Sequence, residues 1–282
     1  MGHNIDSAKI AEILKECSDK YILPRYRNLQ EGDIQTKSHA NDFVTIADTE
    51  TEEALCKILP KIYPGCIVIG EEGVSSSRMT TDALKDKDQV VFIVDPVDGT
   101  YNFKNGNPEF AVMMALVVGG ETRMGWIYDV VADTHMIVEK GAGAFLGGKR
   151  MHVGAAKPSD QCIGYVKKSY FPKELQPHMD YVKDARKAFR DVTSLNYAAH
   201  EYLRIASGQA DFAIYGWMKP WDHLTGVLMV QEAGGVAAKW DGTPYVPTDN
   251  RGGLLIASNQ GLWDESRAKF LQPALDKVYP KL

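Results

Sequence analysis

Asp95-Pro96-Val97-Asp98-Gly99-Thr100 sets two carboxylates three residues apart beside a proline, a glycine and a threonine. It follows Val90-Val91-Phe92-Ile93-Val94, a β-branched and aromatic run that reads as a short strand buried on both faces. Pro96 lacks an N–H donor, Gly99 admits backbone conformations closed to other residues, and Thr100 suits the start of a helix. The expected local shape is strand, acidic turn, helix N-terminus. Two carboxylates on such a turn can converge on a hard cation, while the N–H groups of Gly99 and Thr100 can face an anion. The chemistry on offer is a divalent cation meeting a phosphate.

Further acidic turns lie at the ends of other predicted elements. Cys66 to Ile69 reads as a second buried strand running into Gly70-Glu71-Glu72-Gly73, and if the two strands share a sheet, Glu71 and Asp95 are neighbours. Asp42 to Asp48 precedes a helix from about Thr49, with Asp48 or Thr49 as its cap, and Asp222 heads a helix from His223 to Ala233 that stops at Gly234-Gly235. Alone, Asp48 and Asp222 are ordinary helix caps and Glu72 a solvated loop charge. Trp217, Met218, Trp221 and His223 read as packing residues, and Asp264 and Glu265 as a solvated helix face.

The remaining elements form a frame. An amphipathic helix capped by Asp6-Ser7 runs towards Pro24, and the segments 110–118, 124–130 and 135–139 form an antiparallel meander separated by turns. Gly154 to Asp160 is the expected boundary between halves. Beyond it, strands near 162–166, 192, 211–215, 236–240 and 253–257 alternate with helices expected over 172–188 and 196–207, an α/β pattern.

With 282 residues, 44% hydrophobic and 24% charged, the chain has the composition of a globular protein with a large core. A formal charge of −5 and the absence of a basic stripe argue against nucleic acid as a partner. No apolar run has the length of a membrane span, and residues 1–10 lack the apolar centre of a signal peptide, so the cytoplasm is the expected location. Cys17, Cys56, Cys66 and Cys162 show no C-x-x-C spacing and read as free buried thiols. No G-x-S-x-G is present, and the acidic spacing is D-x-x-D rather than the D-x-D of phosphatases that phosphorylate an aspartate.

Four pieces in order, Asp42 to Asp48, Gly70-Glu71-Glu72, Asp95 to Phe103, and Trp221-Asp222 with Glu232-Ala233-Gly234-Gly235, resemble the inositol monophosphatase family of magnesium-dependent, lithium-sensitive phosphatases. The likeness runs from near residue 10 to 270. It implies a layered αβαβα sandwich of the inositol monophosphatase and fructose-1,6-bisphosphatase type, combining α+β and α/β halves. Residues 1–153 would carry the metal-binding turns, and 154–282 would supply Asp222 and the substrate contacts. The resemblance makes Glu71, Asp95 and the Val97 carbonyl ligands of a first Mg²⁺, and Asp95, Asp98 and Asp222 ligands of a second. Glu71 with water would hold a third ion, with Lys37 and Glu72 beside it. Thr100, held by Asp48, and Glu71 would orient the attacking water, and the N–H groups of Gly99 and Thr100 would take phosphate oxygens. A homodimer is implied, with Phe103, Phe110 and the meander as candidate interface.

Two positions depart from the pattern. The family's acidic residue facing inositol hydroxyls lies seven positions before the W-D aspartate, where this chain has Tyr215, and the family's G-[ST]-A helix start reads Asn196-Tyr197-Ala198. Substrate contacts are expected from Asp98, Asn196, Tyr197, Tyr215 and Asp222. Because buried polar pairing governs discrimination among hydroxylated substrates, these changes bear on which ester is cleaved and leave phosphate hydrolysis untouched. Inositol 1-phosphate is the first expectation; histidinol phosphate, fructose 1,6-bisphosphate and 3′-phosphoadenosine 5′-phosphate, the ester cleaved by 3′(2′),5′-bisphosphate nucleotidases, are the alternatives. A regulator that kept the fold without catalysis is the reading from another class.

Overall fold

The computed structural model describes residues 5–37 and 43–278. In the first half, α1 (Ser7–Cys17) is followed by the strand pair β1 (Ile34–Thr36) and β2 (Phe43–Thr45), α2 (Ile46–Ile62), β3 (Ile67–Gly70) and the single turn α3 (Glu71–Ser75). Then come β4 (Val90–Asp98), α4 (Thr100–Lys104), β5 (Ala111–Val118), β6 (Glu121–Asp129), β7 (Thr134–Glu139), β8 (Gly143–Leu146) and β9 (Lys149–Arg150). The second half holds β10 (Ile163–Val166), α5 (Val182–Ala185), β11 (Asp191–Thr193), α6 (Ala198–Ala206), β12 (Phe212–Tyr215), α7 (Pro220–Glu232), β13 (Val236–Lys239), β14 (Leu254–Ala257), α8 (Gln260–Phe270) and α9 (Gln272–Val278).

The layers follow from which faces the apolar residues bury. β3 to β9 form a seven-stranded sheet in sequence order, parallel only between β3 and β4. On β5, Met114 faces α1 and α2 with Ile10, Leu14 and Leu55, while Met113 faces the opposite side with Tyr202 and Leu228 of α6 and α7. That helix pair also packs on Ala213 and Ile256 of the five-stranded sheet β11-β10-β12-β14-β13. The far face of this second sheet, with Phe212 and Leu255, buries Trp263, Phe270 and Leu275 of α8 and α9. The result is the expected αβαβα sandwich.

The central helix α7 is seated closely on both sides. Gly125 on β6 faces Thr225, where a Cβ would come within 2.7 Å of the threonine methyl, and Gly226 faces the Tyr202 ring, where a Cβ would come within 2.2 Å. Thr225 Oγ1 donates to the Met114 carbonyl at 2.6 Å, tying the helix to β5.

Several sequence expectations change in detail. The second helix starts at Ile46, because Thr45 caps it and Asp48, three residues on, returns the bond to the Thr45 backbone N–H in a reciprocal box. Asp222 lies inside the first turn of α7, which begins at Pro220, a residue suited to the first helical position. The helix expected from Asn196, α6, begins at Ala198, since Asn196 sits at φ 66° and Tyr197 is extended. Residues 172–188 form short turns around the four-residue α5 in place of one helix; Pro177 withholds an N–H, although Leu175, Met179 and Val182 keep their buried spacing.

Phe103 and Phe110 are fully buried against each other at 4.9 Å between ring centroids and against Tyr26, so they form core and not an interface. Trp217 is exposed, unlike Met218, Trp221 and His223. The cysteines are free, Cys17 and Cys162 buried and Cys56 and Cys66 half-buried. Asp42 lies outside the described residues. Among the described residues no helix is long and apolar enough to cross a membrane.

Candidate active site

The acidic turns meet because β3 and β4 are parallel neighbours. Gly70 pairs with Val94, so the next residues, Glu71 and Asp95, stand side by side. β4 does not end in a turn at Asp95 as the sequence suggests. It stays paired with β5 through Asp98: three steps from Asp95 to Asp98 span only two, from Met113 to Ala111, so one extra residue bulges out of the ladder. Asp95 is bent back by the bulge, and its Oδ1 accepts the Val97 N–H at 3.0 Å. Gly99 then takes φ 90°, and a Cβ there would meet the Glu109 carbonyl at 2.9 Å, so only glycine turns the chain into α4.

Asp222 arrives from the other half on α7. One ligand oxygen each of Glu71, Asp95 and Asp222 lie within 4.8 Å of one another. Asp98 is held apart from this trio, its Oδ2 accepting the Ala199 N–H of α6 at 2.6 Å. The Val97 carbonyl is buried and accepts the Thr100 hydroxyl at 2.9 Å. Thr100 Oγ1 also stands 3.1 Å from Asp48 Oδ1, while the other Asp48 oxygen is occupied by the Thr45 backbone N–H at 2.8 Å and by the Thr45 hydroxyl.

Electrostatics are dominated by burial. It pushes Asp48 up to about 6 and, with the charge of Asp222, Asp98 up to about 8; Asp222 itself is pushed up to about 7. Asp95, buried between Glu71, Asp98 and Asp222, is raised well above the carboxylate range. Glu71 goes the other way. Burial opposes its charge, but Lys219 at 3.2 Å and Lys37 at 3.4 Å outweigh it and hold the carboxyl below its usual value. Glu72 is buried, not solvated, and its contact with Lys37 at 2.5 Å leaves it pushed up to about 8 by burial and by Glu71.

An all-oxygen set of carboxylates, Asp95 buried and Asp222 half-buried, whose charges repel in the absence of a counter-charge, fits a hard divalent cation such as Mg²⁺. Beside it lies a cavity of about 150 Å³ lined by Asp98, Asn196, Tyr197, Glu201, Tyr215 and Asp222, among others. The Tyr197 and Tyr215 hydroxyls are buried. Asn196, exposed, receives Lys167 Nζ on its Oδ1 at 2.5 Å. A larger cleft of about 870 Å³ shares Gly216, Trp217 and Lys219 with this cavity but is not lined by the carboxylate trio.

Three supporting residues escape the sequence reading. Glu52, one helical turn beyond Asp48 on α2, accepts the N–H groups of Glu72 and Gly73 at 2.7 Å each and so fixes the turn that carries Glu71. Glu201 on α6 accepts the Leu195 N–H at 2.8 Å and the Ser194 hydroxyl at 3.1 Å, fixing the loop that bears Asn196 and Tyr197. The helical spacing from Asp48 was a usable signal for Glu52. Lys219 lies beside the W-D pair, but nothing in its spacing pointed to Glu71.

The sequence profile of the inositol monophosphatase family matches residues 7–275. An inositol-1-monophosphatase of Bacillus subtilis is 29% identical over 81% of this chain and 83% of its own length. A protein of Vibrio cholerae named Nus factor SuhB is 31% identical over 80% of this chain and 82% of its own. Among solved structures, an IMPase of Thermotoga maritima superposes with a TM-score of 0.80 at 22% identity, covering 96% of this chain and 98% of that one. On its sequence and its fold, the chain belongs to the inositol monophosphatase family.

Proposed function

We propose that the protein is a Mg²⁺-dependent phosphomonoesterase acting on a small polar phosphate ester, with inositol 1-phosphate as the first candidate. The observation that carries this reading is the approach of Glu71, Asp95 and Asp222 to within 4.8 Å beside a threonine hydroxyl and a helix N-terminus. Names of the curated relatives support it, among them an inositol-1-monophosphatase and a fructose-1,6-bisphosphatase/inositol-1-monophosphatase.

In this reading Glu71, Asp95 and the Val97 carbonyl hold one ion, and Asp95, Asp98 and Asp222 a second. Bound Mg²⁺ supplies an activated water at neutral pH and charge stabilisation for the leaving oxygen. Thr100 orients that water, a reading supported by its hydroxyl facing one Asp48 oxygen while the other Asp48 oxygen is anchored on Thr45. Glu71 shares that task. The N–H groups of Gly99 and Thr100, at the start of α4, take phosphate oxygens. Asp98, Asn196, Tyr197, Tyr215 and Asp222 line the cavity that receives the alcohol.

Phosphate release from inositol 1-phosphate, histidinol phosphate, fructose 1,6-bisphosphate and 3′-phosphoadenosine 5′-phosphate, with Mg²⁺ and with lithium added, tests the proposal. One ester turned over at least about tenfold faster than the rest, which is ~1.4 kcal/mol in transition-state stabilisation, identifies the substrate. No Mg²⁺-dependent release from any of them overturns it. The relatives named Nus factor favour a regulatory role as the second reading; it predicts a protein partner that remains bound to Asp95→Asn. A homodimer and a cytoplasmic location belong to the same proposal, and sedimentation at micromolar concentration checks the first.

A further inference from the structure

We infer that Lys219 is a resident cation of the metal cluster and stands in for a third divalent ion, so that this chain works with two. The inference rests on the metal-dependent reading proposed above. Its basis is the crowding of one oxygen. Glu71 Oε1 receives Lys219 Nζ at 3.2 Å and Lys37 Nζ at 3.4 Å, one lysine from each half of the chain. A carboxylate oxygen offers about two lone-pair sites, so Oε1 is filled and one oxygen of Glu71 is left for metal.

The resemblance gives a third ion no protein ligand but Glu71. Such an ion would have to displace an ammonium group from the only carboxylate that binds it.

Lys219 rather than Lys37 has this role. Lys37 makes its shorter contact with Glu72, at 2.5 Å, whereas among the described residues the only carboxylate within 4 Å of Lys219 is Glu71. Lys219 is also fixed at both ends. Its backbone is the N-cap position of α7, three residues before Asp222, and its ammonium group stands 5.7 Å from the centre of the Trp221 ring. The same helix turn therefore delivers an ion ligand and a built-in cation.

The test counts ions with Mn²⁺ as the probe, reading free Mn²⁺ by electron paramagnetic resonance during titration of the full chain. Wild type is expected to bind two Mn²⁺. Lys219→Met should gain a third, bound at least about tenfold more tightly than any third ion in wild type, a difference of ~1.4 kcal/mol. Lys219→Arg, which keeps the charge, should bind two. Lys219→Gln serves as a second neutral variant if Lys219→Met fails to fold. Three ions in wild type, or an unchanged count of two in both neutral variants, overturns the inference and leaves the phosphatase reading standing. No Mn²⁺ bound by any variant overturns that reading as well.

Discussion

Asp222→Asn should make the ion-free protein more stable and the ion-loaded protein less stable than wild type. Oxygens of Glu71, Asp95 and Asp222 lie within 4.8 Å of one another, and two unit charges at that distance repel by ~3.5 kcal/mol at an effective dielectric of about 20. Burial first, then neighbouring charge, raises Asp222 to about 7 and Asp98 to about 8, from 3.8 in the unfolded chain. Without ions the folded state thus binds more protons than the unfolded state between those values. Stability therefore falls as pH rises from about 4 to about 8.

Replacing Asp222 by a neutral amide removes one member of the cluster and should recover up to ~3 kcal/mol at pH 8 and little at pH 4. For a chain of 282 residues, an unfolding entropy of ~2.1 cal/mol/K per residue converts ~3 kcal/mol into a rise of ~5 °C. An ion at about one hundred times its Kd stabilises by ~2.7 kcal/mol, or ~4–5 °C, and the variant forfeits much of the gain from the site that Asp222 completes. Thermal melts at pH 5 and pH 8, in EDTA and in saturating Mg²⁺, read all of this. The order of wild type and Asp222→Asn should invert between EDTA and Mg²⁺ at pH 8. A variant less stable than wild type in both, or an EDTA melting temperature of wild type that climbs from pH 5 to pH 8, refutes the reasoning.

Thr100→Ala should lower kcat by ~10²-fold while leaving the Mg²⁺-induced rise in melting temperature within a degree or so of wild type, because in the proposed reading the hydroxyl orients water and binds no ion; an equal loss of ion response would assign it to the metal shell. Gly99→Ala forces a side chain into φ 90° and against the Glu109 carbonyl. It should cost ~1–3 kcal/mol in denaturant melts and abolish competitive inhibition by inorganic phosphate, and retained inhibition would remove Gly99 from the phosphate site. Glu52→Ala strips two buried N–H groups of their acceptor and should cost ~1–3 kcal/mol per group left unpaired. Calorimetric titration should also find weaker ion binding, and unchanged affinity would mean that the α3 turn holds Glu71 without help.

What could be read from sequence was whatever depends on local pattern. The run from Val90 to Val94, the turns at Gly119-Gly120 and Ala132-Asp133, and the Asp6 cap of the first helix each announce an element through side-chain chemistry within a few residues. The layered fold was legible through the family motifs. What was not legible depends on pairing at a distance. The bulge in β4 exists only because β5 lies opposite, so a strand that continues through Pro96 looks like a turn when read alone. Phe103 and Phe110 look like surface candidates until Tyr26, some eighty residues away, closes over them. Lys219 reaches Glu71 across 148 positions, and no spacing rule connects the two.

The seating of α7 gives the fold a mechanical datum. Gly125 and Gly226 leave no slack on either side of the helix, and the Thr225 hydroxyl pins it lengthwise to β5. One residue of slip along a helix is 1.5 Å, enough to ruin a coordination shell whose tolerance is a few tenths of an ångström. In the proposed reading the manufacturing tolerance on the ions is therefore held three or four residues beyond Asp222, at Thr225 and Gly226. Asn196 and Tyr197 line the neighbouring cavity outside that gauge, whereas Tyr215 stacks on the Tyr202 ring that seats Gly226; in the proposed reading, changes at 196 and 197 recut the mould for the alcohol while the reference surface for the phosphate chemistry stays true.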